Sequence, residues 1–250
     1  MNSIFLAVPH YGHLVADALP SLITASRRPE TTRISLNTNG ASLLAFNFNL
    51  LWCNALNQRE SKSLTHFAMH HADIQAQEGW LDVLIDEMQR VEADVLSVVI
   101  PIKDGKGLTS TGLQDQRTGR IRRLTMTEVN KLPKTFNAHD CHDEFSNTSV
   151  LDHLLINTGL WICDFTKPWV EQVHFTINDA IVQMPDGKFT ANVMSEDWNF
   201  STWCHLYHKD YPRRLRLFAT TAVSAHHHGT ARFSNTHPWG DWTTDLGDKR

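Results

Sequence analysis

The chain has 250 residues, 41% hydrophobic and 20% charged, a composition ordinary for one large α/β domain or two small ones. A net charge of −4 and a pI near 6.4 exclude a global electrostatic pull toward nucleic acid or an anionic membrane, though not local basic patches. No apolar run approaches the ~20 residues of a membrane helix. The start, MNSIFLAVPHYGH, has no basic segment ahead of a strand-length apolar run, and the four cysteines are scattered without a C-x-x-C pair. The expectation is a cytoplasmic protein with free thiols.

In chain order, Ile4-Phe5-Leu6-Ala7-Val8 reads as a buried strand stopped by Pro9. Leu14, Val15, Ala18, Leu19, Leu22 and Ile23 then recur at helical spacing. Arg33 to Leu36 is a second strand ending in the turn residues Asn37-Thr38-Asn39-Gly40. Leu43, Leu44, Leu50, Leu51, Ala55 and Leu56 form a helix, THFAMH a third strand, and Trp80, Leu81, Leu84, Ile85 and Met88 one face of another helix. Val95 to Ile100 is a fourth strand. Such strand–helix alternation predicts a largely parallel sheet covered on both faces, with ligands beyond the carboxyl ends of the strands. Pro9-His10-Tyr11, Asn37 to Asn39 and His71-Ala72-Asp73 are polar ends of that kind, and they are expected to meet in one crevice.

From about Lys103 to Asn147 the pattern loosens, and NAHDCHDEFSN, which has no period, reads as a long loop. Order returns at Leu151 to Ile156, followed by Asn157-Thr158-Gly159. SEDWNFSTWCHLYHK predicts a helix with Ser195 as its N-cap. A last strand, Leu215 to Val223, runs into Ala225-His226-His227-His228-Gly229, and the tail from Ser234 is polar. With no repeat and no low-complexity linker, one domain over 1–250 is the reading, with halves of about 1–102 and 103–250.

Several groups here can carry chemistry. A carboxylate at a strand end, as in His71-x-Asp73, can hold Mg²⁺ or Mn²⁺ against a diphosphate, and the imidazole tilts the choice toward Mn²⁺. Glu196-Asp197 at a helix start suits the helix dipole, and equally suits a general base that deprotonates a hydroxyl. One imidazole of His226 to His228 is placed to complete a metal site begun by Asp73, but neighbours on an extended segment face opposite ways. Arg117, Arg120, Arg122 and Arg123, with Arg213, Arg214 and Arg216, are either solvated surface or phosphate contacts. His139, Cys141 and His142 with the histidine triplet suggest a zinc-dependent hydrolase as the rival class, although their spacing matches no known zinc motif.

In this order, the segments IFLAVPHYGHLVADALPSL, SLLAFNFNLLWCNAL, THFAMHHADIQAQEGWLDVLIDEM, NTGLW, SEDWNFSTWC and HHHGTARF resemble the GT-A-type nucleotide-sugar glycosyltransferases of the family 2-like group, over about residues 3 to 235. The resemblance implies an αβα sandwich on a mostly parallel sheet, with a nucleotide-binding first half and an acceptor-binding second half. It places Pro9, Tyr11, Asn37 and Asn39 along the nucleotide. It also aligns Phe46-Asn47 with a pair that is usually Arg-Asn, leaving Asn47 on the donor side. His71 and Asp73 fall on the two positions of the metal-binding D-x-D, with Asp73 the principal ligand. His227, in an H-x-G pattern, is the distant ligand and His226 its fallback. Asp197 matches the base of inverting members and Glu196 its neighbour. The implied cofactors are Mn or Mg and a nucleotide sugar, UDP-linked by preference. The acceptor suggested is a 5-hydroxymethylpyrimidine in DNA, as in phage-type DNA-modifying enzymes, with a saccharide or small molecule as the alternative. A catalytically dead sugar-nucleotide-binding relative is a further one, since His71 and Phe46 depart from the pattern.

Overall fold

The structure is a computed structural model that describes residues 1–115, 118–145 (backbone only for 142–145), 153–207, 214–229 and 231–240. Arg117 and Arg213 lie outside the described residues, as do the ends of the 137–147 and 151–156 segments. The first half runs β1 (Asn2–His10), α1 (Leu19–Ile23), β2 (Thr32–Gly40), α2 (Leu44–Gln58), β3 (His66–His70), the short β4 (Ile74–Ala76), α3 (Trp80–Val91) and β5 (Val95–Val98). Next come β6 (Leu108–Gln114), β7 (Ile121–Thr125), α4 (Met126–Val129), β8 (Thr135–Phe136), α5 (Ala138–Phe145), β9 (His153–Leu155) and β10 (Leu160–Asp164). The chain continues through β11 (Asn178–Gln183), β12 (Phe189–Met194), α6 (Glu196–Leu206), β13 (Leu217–Thr220), β14 (Ala225–His228) and β15 (Arg232–Ser234).

Seven strands form the central sheet in the order β2-β1-β3-β10-β5-β13-β8. β2 and β3 run parallel to β1, and β13 runs parallel to β5. β10 is antiparallel to both β3 and β5, which aligns those two, and β8 is antiparallel to β13. Five of the seven strands therefore point one way. This is the mostly parallel α/β sandwich that the sequence implied.

The alternation of side chains across the strands builds two cores. Ile4, Leu6 and Val8 of β1 join Ala68, Leu96, Leu160 and Ile162 against Trp80, Leu81, Leu84 and Met88 of α3. Phe5 and Ala7 join Phe67, Met69 and Trp161 on the opposite face, against Phe48 and Trp52 of α2 and Phe200 of α6. That second layer is aromatic: Trp52 lies 4.6 Å from Phe67 and Phe200 5.2 Å from Trp161, centroid to centroid. Each fully buried Phe contributes roughly 1.5–3 kcal/mol by leaving water.

Several expectations change. The helix over 44–58 forms, but its buried face is Asn47, Phe48, Leu51, Trp52 and Ala55, while Leu43, Leu44 and Leu50 are exposed. The periodicity of the leucines misled because the aromatics carry the contact. Residues expected in a long loop contain α5, started by reciprocal hydrogen bonds. Asn137 Oδ1 accepts from the His139 amide at 2.7 Å, and Asp140 Oδ2 from the Asn137 amide at 2.8 Å. Cys141 turns into the core. Ser195 holds the N-cap position of α6 with extended backbone, but its hydroxyl bonds Asp197 and makes no cap. The β11–β12 hairpin was not anticipated: its β11 residues are all exposed, and its one local signal is the Pro185-Asp186-Gly187 turn between the strands. Among the described residues no helix is long and apolar enough to cross a membrane.

Candidate active site

The carboxyl ends of β1 and β3 open onto a crevice of about 370 Å³ lined by Pro9, His10, Tyr11, His13, Ala41, Ser42, His71 and Asp73, among others. After Pro9 the chain reverses at Gly12, whose φ of +79° suits glycine, and Tyr11 bridges back to His13. Tyr11 is left 74% exposed, a ring free to be covered by a ligand. The end of β2 is tied down behind it. Asn47 is fully buried, accepts from Asn39 Nδ2 at 2.8 Å, and donates to the Asn39 carbonyl at 3.0 Å and the His10 carbonyl at 3.3 Å. Asn37 donates to the Ser35 carbonyl. Asn47 thus braces the strand ends, and Asn37 and Asn39 stand outside the crevice lining.

His71 and Asp73 follow β3 directly. The His71 amide donates to the Gly159 carbonyl at 2.8 Å, and its ring packs edge-on to Phe48, centroids 5.3 Å apart. Gly159 lets the Ile74 side chain pack close, since a Cβ would sit 2.8 Å from Ile74 Cδ1. Burial, only partly opposed by Asp73, pushes His71 down to about 4, so it is neutral at pH 7. Its Nε2 is buried without a hydrogen-bond partner. So are both nitrogens of His70, which packs on Trp80 on the opposite face of the sheet, so an orphaned nitrogen alone does not mark a ligand.

The histidine triplet resolves by strand alternation. His227 turns to Asp73, its Nε2 3.6 Å from Oδ2, while its Nδ1 donates to the Pro101 carbonyl at 2.8 Å. His228 turns away to Gln75 and Asp17, and His226 pairs in register with Ser234. A further residue, Lys103, donates to Asp73 Oδ2. Burial pushes the Asp73 carboxyl up, but the nearby His227 ring and the Lys103 ammonium outweigh it and hold the group well below the usual carboxylate range.

The D-x-D likeness calls for a hard divalent ion, which gathers several oxygen ligands. Here one carboxylate stands where two are usual, and its Oδ2 already carries the Lys103 ammonium. Among the described residues no group of three His, Cys, Asp or Glu is placed to hold a metal, and of the zinc candidates the side chain of His142 lies outside the described residues. Of the three expected ligands, His227 comes within 3.6 Å of Asp73, while the His71 ring packs against Phe48, and the set does not fit the expected ion.

The second carboxyl cluster opens α6. Asp197 Oδ1 accepts from the Ser195 hydroxyl and, at 2.8 Å, from the Trp198 amide. Burial raises the Asp197 carboxyl, and these two donors with Arg123 oppose the rise. Glu196 is 8% exposed. Burial, reinforced by the Asp197 charge, pushes it up to about 7. Ser201, one turn on, accepts from the Ile156 amide at 3.0 Å, and the same segment reaches His71 through Gly159. Asn157 between them is buried and bonds the Val98 carbonyl, which fixes the turn to the end of β5.

Three arginines of the basic clusters are engaged within the fold. Arg122 pairs with Glu128, Arg123 lies 4.3 Å over the Trp198 ring and bonds the Thr109 carbonyl, and Arg216 pairs with Glu92. Sequence reasoning missed Lys103, which is a single lysine in a polar stretch. Its only signal was Gly229, which the H-x-G likeness explained differently.

No protein-family model and no curated protein matches the chain. Among solved structures, A197 from STIV is similar over 96% of this chain and 95% of its own, at 14% identity and a TM-score of 0.53. A structure described as a UDP-N-acetylglucosamine pyrophosphorylase from Entamoeba histolytica aligns over 88% of this chain and 73% of its own, at 10% identity and a TM-score of 0.39. HddC from Yersinia pseudotuberculosis aligns over 90% and 72%, at 11% identity and a TM-score of 0.32. The last two are too distant to bear on the site. The first shares the α/β sandwich from end to end, and the likeness is one of fold.

Proposed function

We propose that this chain is a nucleotide-sugar-dependent transferase, specifically a glycosyltransferase that moves a sugar from a nucleoside-diphosphate donor to an acceptor hydroxyl. One observation carries the reading. Pro9, Tyr11, His71 and Asp73 line a single crevice at the carboxyl ends of parallel strands, where such sheets take their ligands. Tyr11 supplies a face for the base, and the Asp73 corner meets the diphosphate. The sequence resemblance favours a UDP-linked sugar.

In the reaction, the acceptor oxygen forms a bond to the anomeric carbon as the bond to the diphosphate oxygen breaks. The electron pair leaves with the nucleoside diphosphate, and the transition state has oxocarbenium character. A carboxyl takes the acceptor proton. The resemblance gives that role to Asp197, but hydrogen bonding favours Glu196. Asp197 is held by Ser195 and the helix amide, whereas Glu196 sits near 7, where a base is most effective. Inversion at the anomeric carbon is the expected outcome.

For the acceptor, a saccharide or small-molecule alcohol ranks ahead of hydroxymethylated DNA. Arg122, Arg123 and Arg216, which suggested phosphate contacts, have partners inside the fold. The test is a screen of nucleotide sugars against alcohol acceptors, with DNA containing 5-hydroxymethylcytosine included and products read by mass. Transfer from one donor supports the reading, and nucleotide binding without turnover leaves a sugar-nucleotide-binding protein. Hydrolysis that needs zinc and no nucleotide sugar overturns it.

A further inference from the structure

The corner around Asp73 is built from three segments laced together. The Asp73 carbonyl accepts from the His228 amide at 2.8 Å, and the Pro101 carbonyl accepts from His227 Nδ1 at 2.8 Å. The aliphatic stem of Lys103 lies across Gly229, where a Cβ would stand 2.9 Å from Lys103 Cδ and 3.4 Å from Cβ and Cγ. The glycine therefore leaves room for the lysine. The ammonium it admits sits on Asp73 Oδ2 at the edge of the crevice, with the Lys103 side chain 34% exposed. A surface lysine is usually a mobile, solvated charge. This one is seated by the tie from His227 to Pro101, two residues before it, and by a glycine that makes way for it.

Charge counting points the same way. A corner with two carboxylates attracts a divalent cation, but here position 71 is a histidine, which brings no negative charge, and the remaining carboxylate is matched by an ammonium. Little negative charge is left to recruit a metal. A positive group already stands beside the crevice, and a lysine is an effective point-charge partner for phosphate.

We propose that Lys103 is the cation that receives the donor's diphosphate, oriented by Asp73 and admitted by Gly229, so that this site binds a nucleoside diphosphate without a divalent metal. This rests on the nucleotide-sugar reading and names how that site handles its ligand's charge. His227 is then a positioning residue that holds the segment at Pro101 against Asp73.

The experiment is calorimetric titration of the full chain with UDP, GDP, CDP and dTDP, in EDTA and then with Mg²⁺ or Mn²⁺, repeated on K103M and K103R. One nucleotide is expected to bind wild type in EDTA, with metal changing the affinity by less than about threefold. K103M is expected to lose about tenfold or more, the scale of a charge-assisted contact, and K103R to retain most of it. Thermal melting establishes that each variant is folded, and should K103M unfold, the EDTA comparison on wild type and K103R decides. Binding that appears only with metal, or K103M binding as well as wild type, overturns the proposal while leaving the nucleotide-sugar reading intact. No binding of any nucleotide under either condition removes that reading and the proposal with it.

Discussion

The two acidic corners of this molecule sit in opposite electrostatic settings. Asp73 stands at a crevice edge with Lys103 and His227 directed at it, and is held ionised far below neutral pH. Glu196 is buried at the start of α6 with Asp197 beside it, and is pushed up to about 7. The same functional group is thus made a permanent anion in one place and a proton exchanger in the other. What separates them is burial against available cations, not residue type.

The strongest way to break the comparison is at Glu196. E196Q is expected to lower turnover by roughly 10²- to 10⁴-fold while leaving nucleotide affinity in place, as for loss of a general base. D197N is expected to lose less. A D197N loss that exceeds that of E196Q reverses the assignment. Steady-state kinetics with calorimetric binding checks it.

The next test is stability against pH. The folded state holds the Glu196 proton between the ordinary glutamate value of 4.5 and about 7, so stability falls as pH rises through that window. E196Q has no charge to bury and removes that fall, gaining on the order of 3 kcal/mol at most above pH 7. Asp73 behaves oppositely: what its ion pair contributes is present at neutral pH and is lost as pH drops through its depressed pKa. Denaturant melts of wild type, E196Q and D73N from pH 2 to 8 separate the two corners, the E196Q curve departing above pH 4.5 and the D73N curve at the acid end, and parallel curves for all three would erase the contrast.

A smaller effect tests the brace behind the crevice. N47A removes the side-chain donor from the Asn39 and His10 carbonyls, the latter keeping the Ala41 amide at 3.3 Å, at a cost of about 1–3 kcal/mol in unfolding free energy. An unchanged midpoint would show that Asn47 is no tie. The smallest expected change is in G229A. The added methyl meets only the flexible Lys103 stem, so the fold is kept while the ammonium shifts. Nucleotide affinity should fall by a few-fold, less than in K103M.

Much of the fold was legible because buried parallel strands read as continuous apolar runs, as in Ile4 to Val8 and Val95 to Val98. The convergence of Pro9, His71 and Asp73 followed from the strand ends alone. α5 was hidden because its start depends on side-chain hydrogen bonds at Asn137 and Asp140 rather than on an apolar period. The β11–β12 hairpin was hidden because neither strand is buried, so no alternation is imposed on it. Lys103 was illegible for a further reason. A lone lysine in a polar stretch has no local pattern, and its meaning comes from residues 30 and 126 positions away, Asp73 and Gly229.

The placement of β10 bears on how the sheet assembles. This strand, residues 160–164, separates β3 from β5, so two strands from the first hundred residues never touch each other. A nascent chain that has emerged only as far as β5 presents β3 and β5 as open edges, each with a row of unpaired amides and carbonyls. Those edges close only when a segment some 60 residues further on arrives and inserts antiparallel between them, a non-local pairing that slows folding. A cut near residue 102 would therefore divide the sheet itself. The edge of β3 that waits longest to be covered is the one that ends at His71 and Asp73.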